Sequence, residues 1–112
     1  MAKPAVRSHS RYSRDATLLL GQLIRRARIE RRMTVEDLAE RVGISRGLAH
    51  RVETGNPNCA IGVVFEAAAI VGVRLFDADQ ADLARQVSAS AAAMALLPQA
   101  VRSAAGPVKD DF

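Results

Sequence analysis

Tryptophan is absent from this 112-residue chain, cysteine occurs once, and aromatic residues make up only 4% of it. The single cysteine, Cys59, excludes an internal disulfide and any cysteine-rich zinc site, and it fits a reducing compartment. With so few rings, a core has to be assembled from Ala, Leu, Val and Ile, which suits packed helices better than a sheet sandwich. A long hydrophobic run is missing too. The longest, from Ala60 to Val73, is too short for a membrane span and contains Glu66. The first 15 residues are polar and basic, with no apolar segment of the signal-peptide kind. These absences predict a soluble, cytoplasmic chain with a single small domain and no membrane partner.

Positive charge is plentiful, and it is unevenly spread. The chain has a net charge of +4. Residues 1–56 hold twelve Lys and Arg against six Asp and Glu, whereas residues 57–112 hold four against six. One basic half and one mildly acidic half predict an end that faces a polyanion and an end that faces protein.

Residues 1–14 contain Lys3, Arg7, Arg11 and Arg14 with no hydrophobic period, and are expected to form a flexible basic arm. From Asp15 onward, Leu20, Leu23, Ile24 and Ala27 recur at helical spacing. Thr34 then reads as a helix cap, with Asp37 as its reciprocal partner. The short helix that follows turns Val35, Leu38, Ala39 and Val42 inward and stops at Gly43. Ser45 caps a third helix that runs through Thr54 to Gly55, and Asn56-Pro57-Asn58 is a turn. A fourth helix is expected from about Ile61 to Val71, ending at Gly72. A fifth runs from near Asp79 to Leu97, where Pro98 stops it. No strand alternation or internal repeat is present. The expected divisions are an arm at 1–14, a domain at 15–76, a C-terminal helix at 77–98 and a flexible tail at 99–112.

Two short helices joined by a tight turn demand a small residue at the crossing, a glycine opening the turn and an apolar plug after it. Ala39, Gly43 and Ile44 meet those demands. The second helix must also bury one face and leave its N-terminal end free. Leu48, Ala49 and Val52 form the inward face, leaving Arg46, Gly47, His50 and Arg51 outside. Ser45 and His50 are not read as a nucleophile and its base, because Ser45 is needed as a cap and no orienting carboxylate is evident. His50 and Cys59 have no further metal ligands at useful spacing. Neither an enzyme nor a cofactor nor a metal site is expected.

The runs Leu20–Arg28, Met33–Arg46 and Arg51–Gly55, followed by Ala60-Ile61 and Val71-Gly72-Val73, resemble the Xre/Cro-CI-type helix-turn-helix regulators. The resemblance covers roughly residues 18–76. It implies an all-α, lambda-repressor-like domain of four to five helices that binds palindromic double-stranded operator DNA as a homodimer. It further implies that Ser45, Arg46, Gly47 and Arg51 face bases, and that Thr54 and Asn56 touch phosphate. At Val35 the family usually carries Gln, a contact Val35 cannot make, so Thr34 is the candidate to replace it with its hydroxyl. His50 is a further candidate for a phosphate. Arg28 and Glu53 match an internal ion pair between the first helix and the recognition helix.

The fourth helix is apolar nearly all round, with Gly62, Val63, Ala69 and Ile70 where the family is commonly polar, so it is expected to be buried on two sides. The fifth carries a seam of Leu83, Val87, Ser90, Met94 and Leu97 at coiled-coil spacing, over only two heptads. Val63, Ala69, Ile70, Leu83, Val87 and Met94 are therefore the candidate dimer interface. The alternative is a seam that packs on its own domain. The chain length and the Asp110-Asp111-Phe112 ending are similar to HipB-like antitoxins. That likeness implies a HipA-type Ser/Thr kinase toxin as partner and an autorepressed operon. A stand-alone repressor and a protein-interaction adaptor are the competing readings.

Overall fold

The computed structural model describes residues 8–101 and contains five α-helices, with no strand among the described residues. The helices are α1 (Arg11–Glu30), α2 (Val35–Val42), α3 (Arg46–Glu53), α4 (Ile61–Val71) and α5 (Gln80–Ala95), with a 3-10 turn at Leu75–Asp77. The chain divides into two compact units between Asp77 and Ala78.

In the first unit, α1 packs on α3 and α4, and α2 packs on the same two helices. Ile24 from α1, Leu38 from α2, Val52 from α3, and Ala67, Ala68 and Val71 from α4 meet in the core. Leu20, Met33, Val42 and Val64 close around them. Each fully buried branched side chain contributes about 1.5–3 kcal/mol relative to an exposed one. A core this small has few such side chains, so close backbone contact matters as much as side-chain volume. At Gly21 an added Cβ would lie 2.6 Å from the Val52 carbonyl oxygen and 2.8 Å from that of Glu53. Gly21 is the point where α1 runs against the end of α3, and no larger residue fits there.

Local capping chemistry fixes the helix ends. Thr34 Oγ1 accepts from the Asp37 N–H, and the Asp37 carboxylate accepts from the Thr34 N–H, forming a complete capping box. α2 ends on Gly43 at φ 85°, and the N–H groups of Gly43 and Ile44 both reach the Ala39 carbonyl. The same stop recurs at Gly72, where the Val73 N–H reaches Ala68.

Two boundaries differ from the sequence reading. α1 begins at Arg11, so the basic segment expected to be arm as far as residue 14 is helical from Arg11 on. The Ser10 side chain starts it by accepting from the Ser13 N–H. The opening turn buries nothing, and hydrophobic periodicity could not show it. The expected arm residues Lys3 and Arg7, and the tail beyond residue 101, lie outside the described residues. α5 stops at Ala95, short of Leu97, with Leu96 as its cap.

In the second unit, Asp79 caps α5 by accepting from the Asp82 N–H, and Asp82 pairs with Arg85 one turn on. No residue of α5 is buried. From Gln86 to Val101 the chain carries no charge, and along it Val87 is 66% exposed and Met94 63% exposed.

Candidate nucleic-acid interface

α3 is held rigidly from behind. Its Ala49 and Val52 are buried and Leu48 is half-buried. Glu53, at its last turn, has a side chain only 4% exposed and receives both arms of the Arg28 guanidinium: Nε at 2.6 Å and Nη2 at 3.0 Å. Arg28 Nη1 also donates to the Met33 carbonyl at 2.8 Å. One side chain therefore ties α1, the loop before α2 and the recognition-type helix together. The hydrogen bonds to Glu53 hold the Arg28 guanidinium above its ordinary pKa, against the opposing effect of burial. A bidentate pair of this kind is strong and directional.

The opposite face of α3 is free. Arg46, Gly47, His50 and Arg51 are all exposed. Ser45 caps the helix by accepting from the Leu48 N–H at 3.1 Å, which leaves its hydroxyl able to donate outward. Gly47 sits between the two arginines in sequence. A Cβ there would lie 3.8 Å from Arg51 Nη1 and 4.0 Å from Ser45 Oγ, which is ordinary contact. The site therefore has no internal need for glycine, and its absent side chain lets another surface come close. Val35, Arg46, Gly47 and His50 line one shallow concavity where the N-terminal ends of α2 and α3 meet. Thr34, capping α2, brings its hydroxyl to the same end of that helix.

Two expected phosphate contacts are partly committed elsewhere. Thr54 Oγ1 donates to the Arg51 carbonyl at 3.2 Å. The Asn56 carboxamide oxygen accepts from the Asn58 N–H at 2.8 Å, closing an Asx turn. Only the amide group of Asn56 is then left as an outward donor.

One participant was not foreseen. Glu36, in the first turn of α2, places Oε2 2.7 Å from Arg46 Nε, with both side chains well exposed. These residues are ten apart in sequence and on different helices, so no local spacing signals the pair.

The arrangement can donate forked N–H groups from two arginines, add a hydroxyl at each of two helix starts, and let backbone approach at Gly47. Such a surface suits base edges and phosphates. Among the described residues no group of three or more His, Cys, Asp or Glu could hold a metal ion. Nor is any helix there long and apolar enough to cross a membrane.

The residues expected at a dimer interface fall into two sets. Val63 and Ile70 are half-buried against the core of their own unit, while Ala69 on the same helix is exposed. α4 is thus buried on one side only, and Ile61 at its start is 68% exposed. On α5, Leu83 is half-buried and Val87 and Met94 are exposed.

A family model described as a helix-turn-helix domain matches residues 19–86. Comparison with curated proteins and with solved structures yields no match.

Proposed function

The chain belongs to the helix-turn-helix domain family, and we propose that it is a sequence-specific DNA-binding repressor of the Xre type, acting as a homodimer on a palindromic operator. The observation that carries the reading is α3 itself. Its rear is locked by the Arg28–Glu53 pair, and its front offers Arg46, Gly47, His50 and Arg51 to solvent. In the mechanism this implies, the N-terminal end of α3 enters the major groove. Arg46 and Arg51 present guanidinium forks to guanine O6 and N7, Ser45 faces a base edge beside them, and Thr34 donates to a flanking phosphate. The basic balance of residues 1–56 supplies sequence-independent attraction, which weakens as salt rises.

The homodimer is supported by the exposed apolar Val87 and Met94 on α5 and by the requirement that two recognition helices read two half-sites. The finer reading, an antitoxin of a HipA/HipB-like pair that represses its own operon, rests on the likeness of the acidic Asp110-Asp111-Phe112 run to HipB-like antitoxins, and that run lies outside the described residues. Co-purification with the product of an adjacent kinase-like gene supports it. Absence of such a neighbour leaves a stand-alone repressor.

The DNA reading is tested with duplexes selected by the wild-type protein from a random pool. The Arg46→Ala/Arg51→Ala variant is expected to lose preference for the selected site while unfolding at the wild-type urea concentration. Full retention of affinity and preference contradicts the proposed site.

A further inference from the structure

Glu36 puts a carboxylate on the face that has to approach phosphates, where a negative charge works against binding. The favourable interaction of an acidic residue with the first turn of α2 accounts for a carboxylate there. It does not account for its contact with Arg46. As a stabilising device the pair is weak, because both partners are well exposed and a surface ion pair in water contributes little. Its value lies in what it does to the guanidinium.

An untethered arginine at the start of α3 has four side-chain torsions to sample, and a forked contact to guanine uses a single orientation of the plane. Glu36 engages Nε, the inner edge of the group. The outer edge, Nη1 and Nη2, makes no hydrogen bond among the described residues, and it is the edge that presents two parallel N–H groups. Both ends of the tether stand on capped helices. Arg46 is the first residue after the Ser45 cap, and Glu36 is the second after the Thr34 cap. The tether therefore joins the capped starts of two helices.

We infer that Glu36 is a positioning residue for base reading: it holds Arg46 with its Nη1–Nη2 edge outward and so sharpens the preference for guanine at one base pair of each half-site. The inference rests on the DNA-binding reading above. Glu36 adds no affinity for DNA in general and trades some of it for discrimination.

The test uses the full chain and the duplex that the wild-type protein selects from a random pool, together with single-base variants of that duplex and an unrelated duplex. Glu36→Gln removes the charge. Glu36→Asp keeps the charge for the α2 terminus but is one methylene too short to hold Nε. Both variants are expected to lose about five- to tenfold in discrimination at one G·C pair per half-site, within the range that one forked contact supplies. Affinity of Glu36→Gln for the unrelated duplex is expected to stay level or rise. In an Arg46→Ala background neither substitution is expected to change the preference further. Wild-type discrimination in both variants overturns the inference, as does an equal gain in affinity on every duplex, which marks Glu36 as a plain competitor for Arg46. A uniform loss on all duplexes also overturns it. If the wild-type protein enriches no duplex at all, the DNA-binding reading itself falls, a result distinguishable from all of these.

Discussion

Glu53 is a charged side chain nearly as inaccessible to water as the alanines of the core, and it survives there because Arg28 satisfies both of its oxygens. Removing one partner of such a pair leaves the other charge buried and unpaired, which costs about 3–5 kcal/mol. Glu53→Gln is therefore expected to lower the stability by that order in urea unfolding; a loss below about 1 kcal/mol shows that water or a neighbour replaces the carboxylate. The pair was legible only through family resemblance, since 25 residues separate its members and no spacing rule links them. Gly47 carries the opposite kind of prediction. Alanine fits there without a clash, so Gly47→Ala should keep or raise stability by up to about 1 kcal/mol. If backbone approaches DNA at this point, the same substitution weakens operator binding. Unaltered binding means that Gly47 lies away from the contact.

At the scale of the helix, the readable features were those decided within one turn. Thr34 with Asp37, Ser45, Gly43 and Gly72 each do what their residue types allow at those places. What escaped was decided by distant partners. The need for Gly21 comes from the carbonyls of Val52 and Glu53, and the start of α1 comes from Ser10 without any apolar face. Phe76 and Asp77 take left-handed backbone at φ 55° and 52° with no glycine to announce it, and the Phe76 ring stands edge-on to Phe65 at 6.3 Å. The capping box makes a pH prediction. Hydrogen bonds from Thr34, the backbone N–H foremost, hold the Asp37 carboxyl below its ordinary pKa. A lowered folded-state value stabilises the fold above the ordinary carboxylate pKa, and that contribution is lost as pH falls below it toward the folded-state value. Between pH 5 and pH 3, roughly spanning the ordinary Asp value, the wild-type urea midpoint should fall more than that of Asp37→Asn. Parallel curves rule out the cap as the source. Gly21→Ala should be strongly destabilising by forcing α1 away from α3, with loss of α-helical signal at a lower temperature as the measure. A neutral outcome contradicts that close approach.

For the molecule as a whole, the division into a basic half and a mildly acidic half was visible in the sequence, but the surfaces left free were not. Val63 and Ile70, expected at an interface, also pack partly on their own core, so a charge at Ile70 would disturb the unit as well as assembly. Val87 and Met94 are the cleaner probes, being exposed on α5. Val87→Glu/Met94→Glu is expected to sediment as a folded monomer that retains weak, salt-sensitive binding to any duplex but loses operator affinity. A dimer of unchanged stability shows that α5 is not the seam. The central claim, that two copies present two α3 helices to DNA, is tested most directly by the duplexes the wild-type protein selects from a random pool. Recognition helices related by a twofold axis and spaced about 34–36 Å apart require an inverted repeat whose half-site centres lie about 10 base pairs apart, or a multiple of that. Enrichment of such repeats, protected in both halves in a footprint, is the predicted result; enrichment of a single unrepeated half-site, or of no sequence at all, contradicts it.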